Sequence, residues 1–309
     1  MPLHQRRKSN SSQGENPGHA SSSTAEQSVT GMVTDASSKI SFKIRRTVHW
    51  DDLERWQRDN HFIHTGYRPA SGSFVVSYRS LGYVHNETVN IYTHLIPAIT
   101  SVPFALYLHN AISTRYESAT HGDVLALSCF FVGVAFCLGM SSNFHTISNH
   151  SNSVARIGNA MDYIGIVGLI TGSFVPSVYY GFYCTPRLQQ MYWTMILTPG
   201  LAPVSRGLVC FHGALYRLSG ATWAIDIWGG ANGEANWAIL AYTTGHFVYI
   251  GAIIYAARVP ERWYPGKFDI LGNSHQIFHV LVVIAALSHL TGLLHAFDYR
   301  HSDLALPCL

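Results

Sequence analysis

Long charge-free apolar stretches alternate with short polar segments over most of this chain. A helix needs about 20 mostly apolar residues to cross a bilayer. Six stretches approach or exceed that length: about Ile91–Leu108, Val124–Ile147, Tyr163–Tyr183, Leu188–Ser205, Trp237–Ala257 and Gln276–Phe297. Between the fourth and the fifth, the segment Arg206–Ala235 is mildly apolar but carries charges and several glycines. By pattern alone, this segment is either a long loop or an eroded further span.

Composition supports a membrane protein. Only 12% of the 309 residues are charged and 48% are hydrophobic, whereas a soluble domain carries about 25% charged residues. The net charge of +3 identifies no partner by itself. The sequence predicts an integral, multi-pass protein of the plasma membrane or of an endomembrane such as the endoplasmic reticulum, with the lipid bilayer as its partner and no nucleic acid.

The basic residues predict the orientation. One group precedes the first span and another precedes the last: Arg45, Arg46, Arg55, Arg58, Arg68 and Arg79, and then Arg258, Arg262 and Lys267. Both groups should face the cytosol, so an even number of crossings must separate them. Only five clear spans do so, and Arg206–Ala235 is the one candidate for a sixth. We therefore predict an all-α, polytopic seven-helix bundle with a degenerate fifth span, a cytosolic amino terminus and an outer carboxyl terminus.

The remaining segments complete the domain organisation. Residues 1–47 are rich in Ser, Gly, Asn and Gln and predict a disordered cytosolic tail. Residues 48–70 have Trp50, Leu53 and Trp56 at helical spacing and predict an amphipathic juxtamembrane helix, lying in the headgroup plane or packed over the mouth of the bundle. Residues 71–301 form the seven-span bundle, and residues 302–309 form a short tail.

Ionisable and polar residues within the spans gather at one predicted end. His275 and His279 are four residues apart, about 40° apart on one helical face. Ser141 and His145 have the same spacing at the inner end of the second span, and Asp162 begins the third. Ionisable groups are costly at membrane depth and mark functional sites.

Three neutral imidazoles with an open fourth position are typical of a catalytic zinc site. We predict that His145, His275 and His279 bind Zn²⁺, that Asp162 acts as general base or orients the water, and that Ser141 donates to a developing oxyanion. The alternatives are histidines that serve packing, and a haem site. The five cysteines lack CxxC spacing, and we expect neither a disulfide framework nor a thiolate zinc site.

A second polar constellation opens the first span. Glu87, Asn90 and His94 recur three and four residues apart in HNETVNIYTHL, along one helical face. They either extend the polar site or fix the first helix to its neighbours by hydrogen bonds, and the pattern favours the second role.

Together, these motifs resemble those of the progestin and adipoQ receptor family, also called the hemolysin III-related family. HNETVNIYTHL, SSNFH, MDY and SHQIFH carry the resemblance, and TGYRP, YCTP with LQQMYW, and ARVPERWYPGKFDILGNSHQIFH are similar to its fungal, Izh-type branch. The match covers about Val48 to His301. It departs from the family between about Gly200 and Asn236, where the usual arginine- and proline-rich loop and clean fifth span are absent.

The resemblance implies a seven-helix bundle with a zinc site near the cytosolic face, held by His145, His275 and His279, with Asp162 at the zinc-bound water and Ser141 beside it. Family members are linked to ceramidase activity, zinc homeostasis and lipid metabolism. The enzyme hypothesis is zinc-dependent hydrolysis of a ceramide-like lipid amide. The alternative is a non-enzymatic receptor or zinc-homeostasis sensor with a structural zinc, and a transporter ranks third.

Overall fold

The computed structural model describes residues 46–200 and 235–302, with side chains omitted for 197–200 and 235–243. Within these residues the chain is all-helical, with one isolated β-bridge between Val48 and Tyr67 and no β-strand. The seven α-helices described are α1 (Phe74–Arg79), α2 (Thr88–Arg115), α3 (His121–Ile147), α4 (Asn152–Gly181), α5 (Pro186–Gly200), α6 (Ala235–Ala257) and α7 (Ser274–His301). The predicted degenerate span, Arg206–Ala235, lies outside the described residues except at its last position.

Four helices, α2, α3, α4 and α7, are long and apolar enough to cross a membrane. All four begin before the charge-free stretches that predict them, and α2 and α7 also end beyond theirs. Polar side chains cap the starts of three of these helices. Thr120 and Asp123 form a capping box at the start of α3, the Ser151 side chain caps α4, and the Asn273 side chain caps α7. The prediction of a multi-pass, all-α membrane protein is confirmed.

Consecutive helices α2, α3, α4 and α5 pack side by side, as do α6 and α7, and α7 also contacts α2, α3 and α4. The main apolar core lies among these helices and includes Phe130, Leu138, Leu293 and Phe297. Glycines bring α3 and α4 close together: a Cβ added at Gly172 would lie 2.5 Å from the carbonyl oxygen of Cys129. Small residues of this kind allow close backbone approach in membrane bundles.

The segment 48–70 differs from the predicted amphipathic helix. It contains two short 3₁₀ turns, Trp50–Asp52 and Arg55–Gln57, and folds back on itself through the Val48–Tyr67 bridge. Its apolar residues Val48, Leu53, Ile63 and Tyr67 pack into a small core of their own. Turn residues and tertiary contacts therefore prevail over a helical period that spans only two turns.

The cysteine pattern predicted no disulfide framework, and it did not indicate the disulfide bond of Cys184, which follows the end of α4. Cys129 and Cys137, within α3, are free. Cysteine spacing along a chain does not report which loops meet in space, so the pattern carried no signal for this bond.

Candidate metal centre

The structure brings together three histidines from two helices. His145 lies in the last turn of α3, and His275 and His279 lie in the first two turns of α7. One ring nitrogen from each falls within 4.8 Å of the others. The Nε2 atoms of His145 and His275 are 3.3 Å apart. Two nitrogens that each lie 2.0–2.1 Å from a tetrahedral zinc ion would be about 3.3 Å apart, so this pair is spaced as two ligands of one ion.

Hydrogen bonds to the opposite ring nitrogens leave Nε2 available in two of the three rings. The Nδ1 atom of His145 lies 2.8 Å from Glu87 Oε2, and the Nδ1 atom of His279 lies 3.1 Å from the carbonyl oxygen of Asn90. Both partners are acceptors, so each Nδ1 carries the proton and each Nε2 keeps its lone pair. Metal-binding histidines are held in this way by carboxylates and carbonyls.

The donor set fits a divalent ion such as zinc, because it consists of neutral imidazoles and includes no thiolate. His145 and His279 are buried and His275 is partly buried. Convergence of three rings on one point disfavours the haem alternative, which uses one axial histidine from each of two facing helices. It equally disfavours three unrelated packing residues.

Glu87, Asn90 and His94 both extend the centre and tie α2 to its neighbours. Glu87 Oε2 also accepts a hydrogen bond of 2.7 Å from Asn90 Nδ2. The ring of His94 stacks on that of His279 at 3.8 Å, with an 11° angle between the planes. The two roles that the sequence left open are thus served by the same residues, and the direct carboxylate contact to His145 was not anticipated.

Charge and burial oppose each other at Glu87. Burial alone raises the pKa of its carboxyl, but the hydrogen bonds from His145 and Asn90 hold that pKa below its usual range. Glu87 is therefore an anion at neutral pH. It places a negative charge directly behind the His145 ring, where it would balance the charge of a cation.

Ser141 and Asp162 lie on the α3 and α4 sides of the centre. Ser141 is buried one turn before His145 in α3. Asp162 of α4 lies near both Ser141 and His145. Because α4 begins at Asn152, Asp162 lies about 15 Å along that helix, deeper than the sequence suggested. Their catalytic roles stay predictions.

Arg68 supports the centre from a position that sequence reasoning missed. It is buried, and its Nη2 donates to the carbonyl oxygen of His145 at 2.5 Å while its Nη1 donates to that of Thr146 at 2.7 Å. Nη1 also donates to Ser80 Oγ, at 2.7 Å. Burial lowers the pKa of Arg68 to about 10, so the guanidinium stays charged at neutral pH. A cation at this position satisfies the last carbonyls of α3 and complements the helix dipole.

The start of α7 is fixed by two buried carboxylates of the α6–α7 loop. Glu261 accepts hydrogen bonds from the backbone amide and the hydroxyl of Ser274, one residue before His275. It also accepts one from Asn60 of the 48–70 segment. Asp269 accepts from the backbone amides of His64 and Thr65 at 2.9 and 2.8 Å. The segment 48–70 therefore helps to position the two α7 histidines.

Comparison with known proteins gives consistent matches. Residues 82–290 match the family model described as "Haemolysin-III related". The chain is 38% identical to the Adiponectin receptor protein of Drosophila melanogaster over 85% of its own length, although it spans only 62% of that relative. It is also 38% identical to the ADIPOR-like receptor IZH2 of Saccharomyces cerevisiae, covering 84% of this chain and 86% of the relative. Heptahelical transmembrane protein 1 of Arabidopsis thaliana is 34% identical, with 84% and 83% coverage.

Proposed function

This chain belongs to the haemolysin-III related family of membrane proteins, and from that premise we propose that it is a zinc-dependent hydrolase of ceramide-like lipid amides. The observation that carries the proposal is the convergence of His145, His275 and His279, two of them with the second ring nitrogen already engaged. A three-histidine set leaves a coordination position open, which is the arrangement of catalytic rather than structural zinc sites.

When bound, zinc supplies a Lewis acid and lowers the pKa of a coordinated water toward ~7. Asp162 accepts the proton of the attacking water and passes it to the leaving amine. Ser141 of α3 lies near the Asp162 carboxylate of α4. In its predicted role, the Ser141 hydroxyl donates to the oxyanion that develops on the substrate. Glu87 keeps the His145 ring in the tautomer that exposes Nε2.

The proposal places the metal centre at the cytosolic end of the bundle. The basic residues that flank this end support that orientation. Cys184 supports it as well, because it follows the opposite end of α4 and is disulfide-bonded. Disulfides persist in oxidising compartments, such as the extracellular side or the lumen of the endoplasmic reticulum.

Metal content and turnover test the proposal together. The purified full chain should hold about one zinc per molecule and release fatty acid from ceramide. His279→Ala should lose both the metal and the turnover. Asp162→Asn should keep the metal and lose turnover by at least a hundredfold, which is the typical contribution of a general base. Full turnover by Asp162→Asn would remove Asp162 from the mechanism.

The second candidate is a receptor or zinc sensor in which the ion is structural. The names of two similar proteins, Adiponectin receptor protein and ADIPOR-like receptor IZH2, favour this candidate. It predicts bound zinc without turnover of ceramide in either the native chain or Asp162→Asn. The control His289→Gln changes a buried histidine that hydrogen-bonds the Ser173 carbonyl of α4. It should leave zinc content unchanged under both candidates.

A further inference from the structure

A groove of about 520 Å³ runs along the outside of α2 and α3, separate from the histidine centre. Its walls are apolar side chains of α2, such as Leu95, Ile99 and Val102, and its floor includes Gly139 of α3. Its volume lies within the usual ~300–1,000 Å³ range of ligand pockets. Ile99 and Val102 are exposed on a helix long enough to cross the membrane, so the groove opens toward the bilayer.

One end of the groove is polar and the rest is not. Tyr78 and Asn143 line that end, and the Tyr78 hydroxyl donates to Asn143 Oδ1. Asn143 lies one turn before the end of α3, and its amide NH₂ donates no hydrogen bond within the described part of the chain. Arg79 follows Tyr78, is exposed, and forms no ion pair with any described residue. The polar end of the groove thus offers amide donors of Asn143, and the exposed Arg79 follows directly in sequence the tyrosine that lines this end.

The apolar part has the length of part of an acyl chain. From Thr146 to Gly139 the α3 wall extends seven residues, about 10 Å. The α2 wall from Leu95 to Val102 has the same length. The floor has room to accept a chain, because a Cβ added at Gly139 would meet no atom within 4 Å. An occupant must therefore be apolar over about 10 Å and carry hydrogen-bond acceptors and negative charge at one end.

We propose that this groove binds one glycerophospholipid of the leaflet at the metal-centre end. One acyl chain occupies the groove, an ester carbonyl accepts from Asn143, and the phosphate pairs with Arg79. Charge complementarity selects a phospholipid over a sterol, which has no anionic group for Arg79. Two ester carbonyls and a phosphate also match the separate donors at the polar end better than a free fatty acid does.

The groove shares a wall with the support of the metal centre. Thr146 lines the groove, while its carbonyl oxygen accepts from Arg68, which also bonds the His145 carbonyl. Tyr78 follows Ser77 and lies two residues before Ser80, and Ser80 is a further partner of Arg68. A lipid in the groove therefore borders the helical turn that carries His145, without entering the centre itself.

Native mass spectrometry of the full chain, purified from phosphatidylserine and phosphatidylcholine nanodiscs that also contain sterol and fatty acid, tests the proposal. The native chain should retain one phospholipid. Gly139→Leu should fill the groove and lower the retained fraction at least tenfold. The matched control is Gly245→Leu in α6, where an added Cβ also meets nothing within 4 Å, and this variant should retain lipid as the native chain does. Arg79→Gln should lower retention of phospholipid several-fold.

Equal retention by Gly139→Leu and the native chain would overturn the proposal, as would retention of sterol or fatty acid in place of phospholipid. The measurement is repeated after zinc is removed with a chelator. Retention must persist there, because none of the groove residues is a proposed ligand of the ion. A protein that fails to bind zinc can thus still confirm the lipid site, and the two proposals fail separately.

Discussion

Replacing Glu87 by glutamine tests whether a carboxylate next to the metal centre sets its affinity. Glu87 Oε2 accepts from His145 Nδ1 at 2.8 Å and from Asn90 Nδ2 at 2.7 Å. The amide oxygen of glutamine can take both of these hydrogen bonds. Glu87→Gln therefore removes the negative charge and keeps the shape and these two hydrogen bonds; it loses only the weaker bond of 3.3 Å that Asn86 Nδ2 donates to Glu87 Oε1. Glu87→Ala removes the charge and all three hydrogen bonds.

The expected losses of zinc affinity follow from which hydrogen bonds each variant removes. Loss of a hydrogen-bonding partner behind a metal-binding histidine costs about 10–100-fold in affinity, which is about 1.4–2.8 kcal/mol. Because the glutamine oxygen preserves the histidine tautomer, we expect Glu87→Gln to lie near tenfold and Glu87→Ala near a hundredfold. Competition between the purified protein and a fluorescent zinc chelator measures both dissociation constants at fixed pH and salt.

Glu117 provides the matched control. It is an exposed glutamate in the α2–α3 loop, at the far end of both helices from the histidines. Glu117→Gln should leave the zinc dissociation constant within twofold of the native value. If Glu87→Ala also stays within twofold, the carboxylate contributes nothing to metal binding, and the tautomer argument for His145 is refuted.

Three further predictions concern stability in detergent. Arg68→Met should lower the free energy of unfolding by about 3 kcal/mol, because several hydrogen bonds to a buried charge are lost. Equal melting temperatures for Arg68→Met and Arg68→Lys would contradict the role of the charge. Burial and the charge of Arg68 lower the pKa of His85 in the folded protein to about 4. Below about pH 6.5 the His85 ring is therefore protonated in the unfolded chain but still neutral in the folded protein, and protonation favours unfolding. Up to about 3 kcal/mol of the free energy of unfolding should be lost between pH 6.5 and 4. His85→Gln should flatten that part of the pH–stability profile, and an unchanged profile would exclude His85 as the cause. Gly172→Ala should lower the free energy of unfolding by about 1–3 kcal/mol, because the added Cβ would overpack against Cys129. Gly139→Ala is the control: its added Cβ would meet no atom within 4 Å, so this variant should melt at or above the native temperature. Similar losses of stability in both variants would refute the close-packing argument.

The sequence predicts the spans because a bilayer imposes a local rule. Each crossing needs a continuous apolar stretch, so α2, α3, α4 and α7 can each be predicted from their own sequence alone. The pairing of His275 with His279 is also predicted from local sequence, since residues four apart share a helical face. Positioning His145 beside them required one further step, the predicted orientation, and the structure brings the three rings together.

Arg68 and the segment 48–70 show where that reasoning ends. Arg68 is adjacent in sequence to turn residues and predicts only a cytosolic charge, yet it bonds carbonyls 77 and 78 positions away. Trp50, Leu53 and Trp56 have helical spacing, but the fold of this segment is decided by Asp269 and Glu261, more than 200 residues later. Periodicity reports one element at a time and carries no information about such contacts.

Main-chain groups explain how a centre of neutral histidines persists within a bundle. The His279 ring of α7 is hydrogen-bonded to the Asn90 carbonyl of α2. The His279 carbonyl in turn lies 3.3 Å from the ring of His94, which is also in α2. The His145 carbonyl accepts from Arg68, which precedes α1. The polar groups of α2, α3 and α7 thus satisfy each other at the point where the helices meet, as buried polar groups must in a membrane. Because uncharged imidazoles do not repel one another, the three rings can stay together before an ion arrives, and binding need not pay for ordering them.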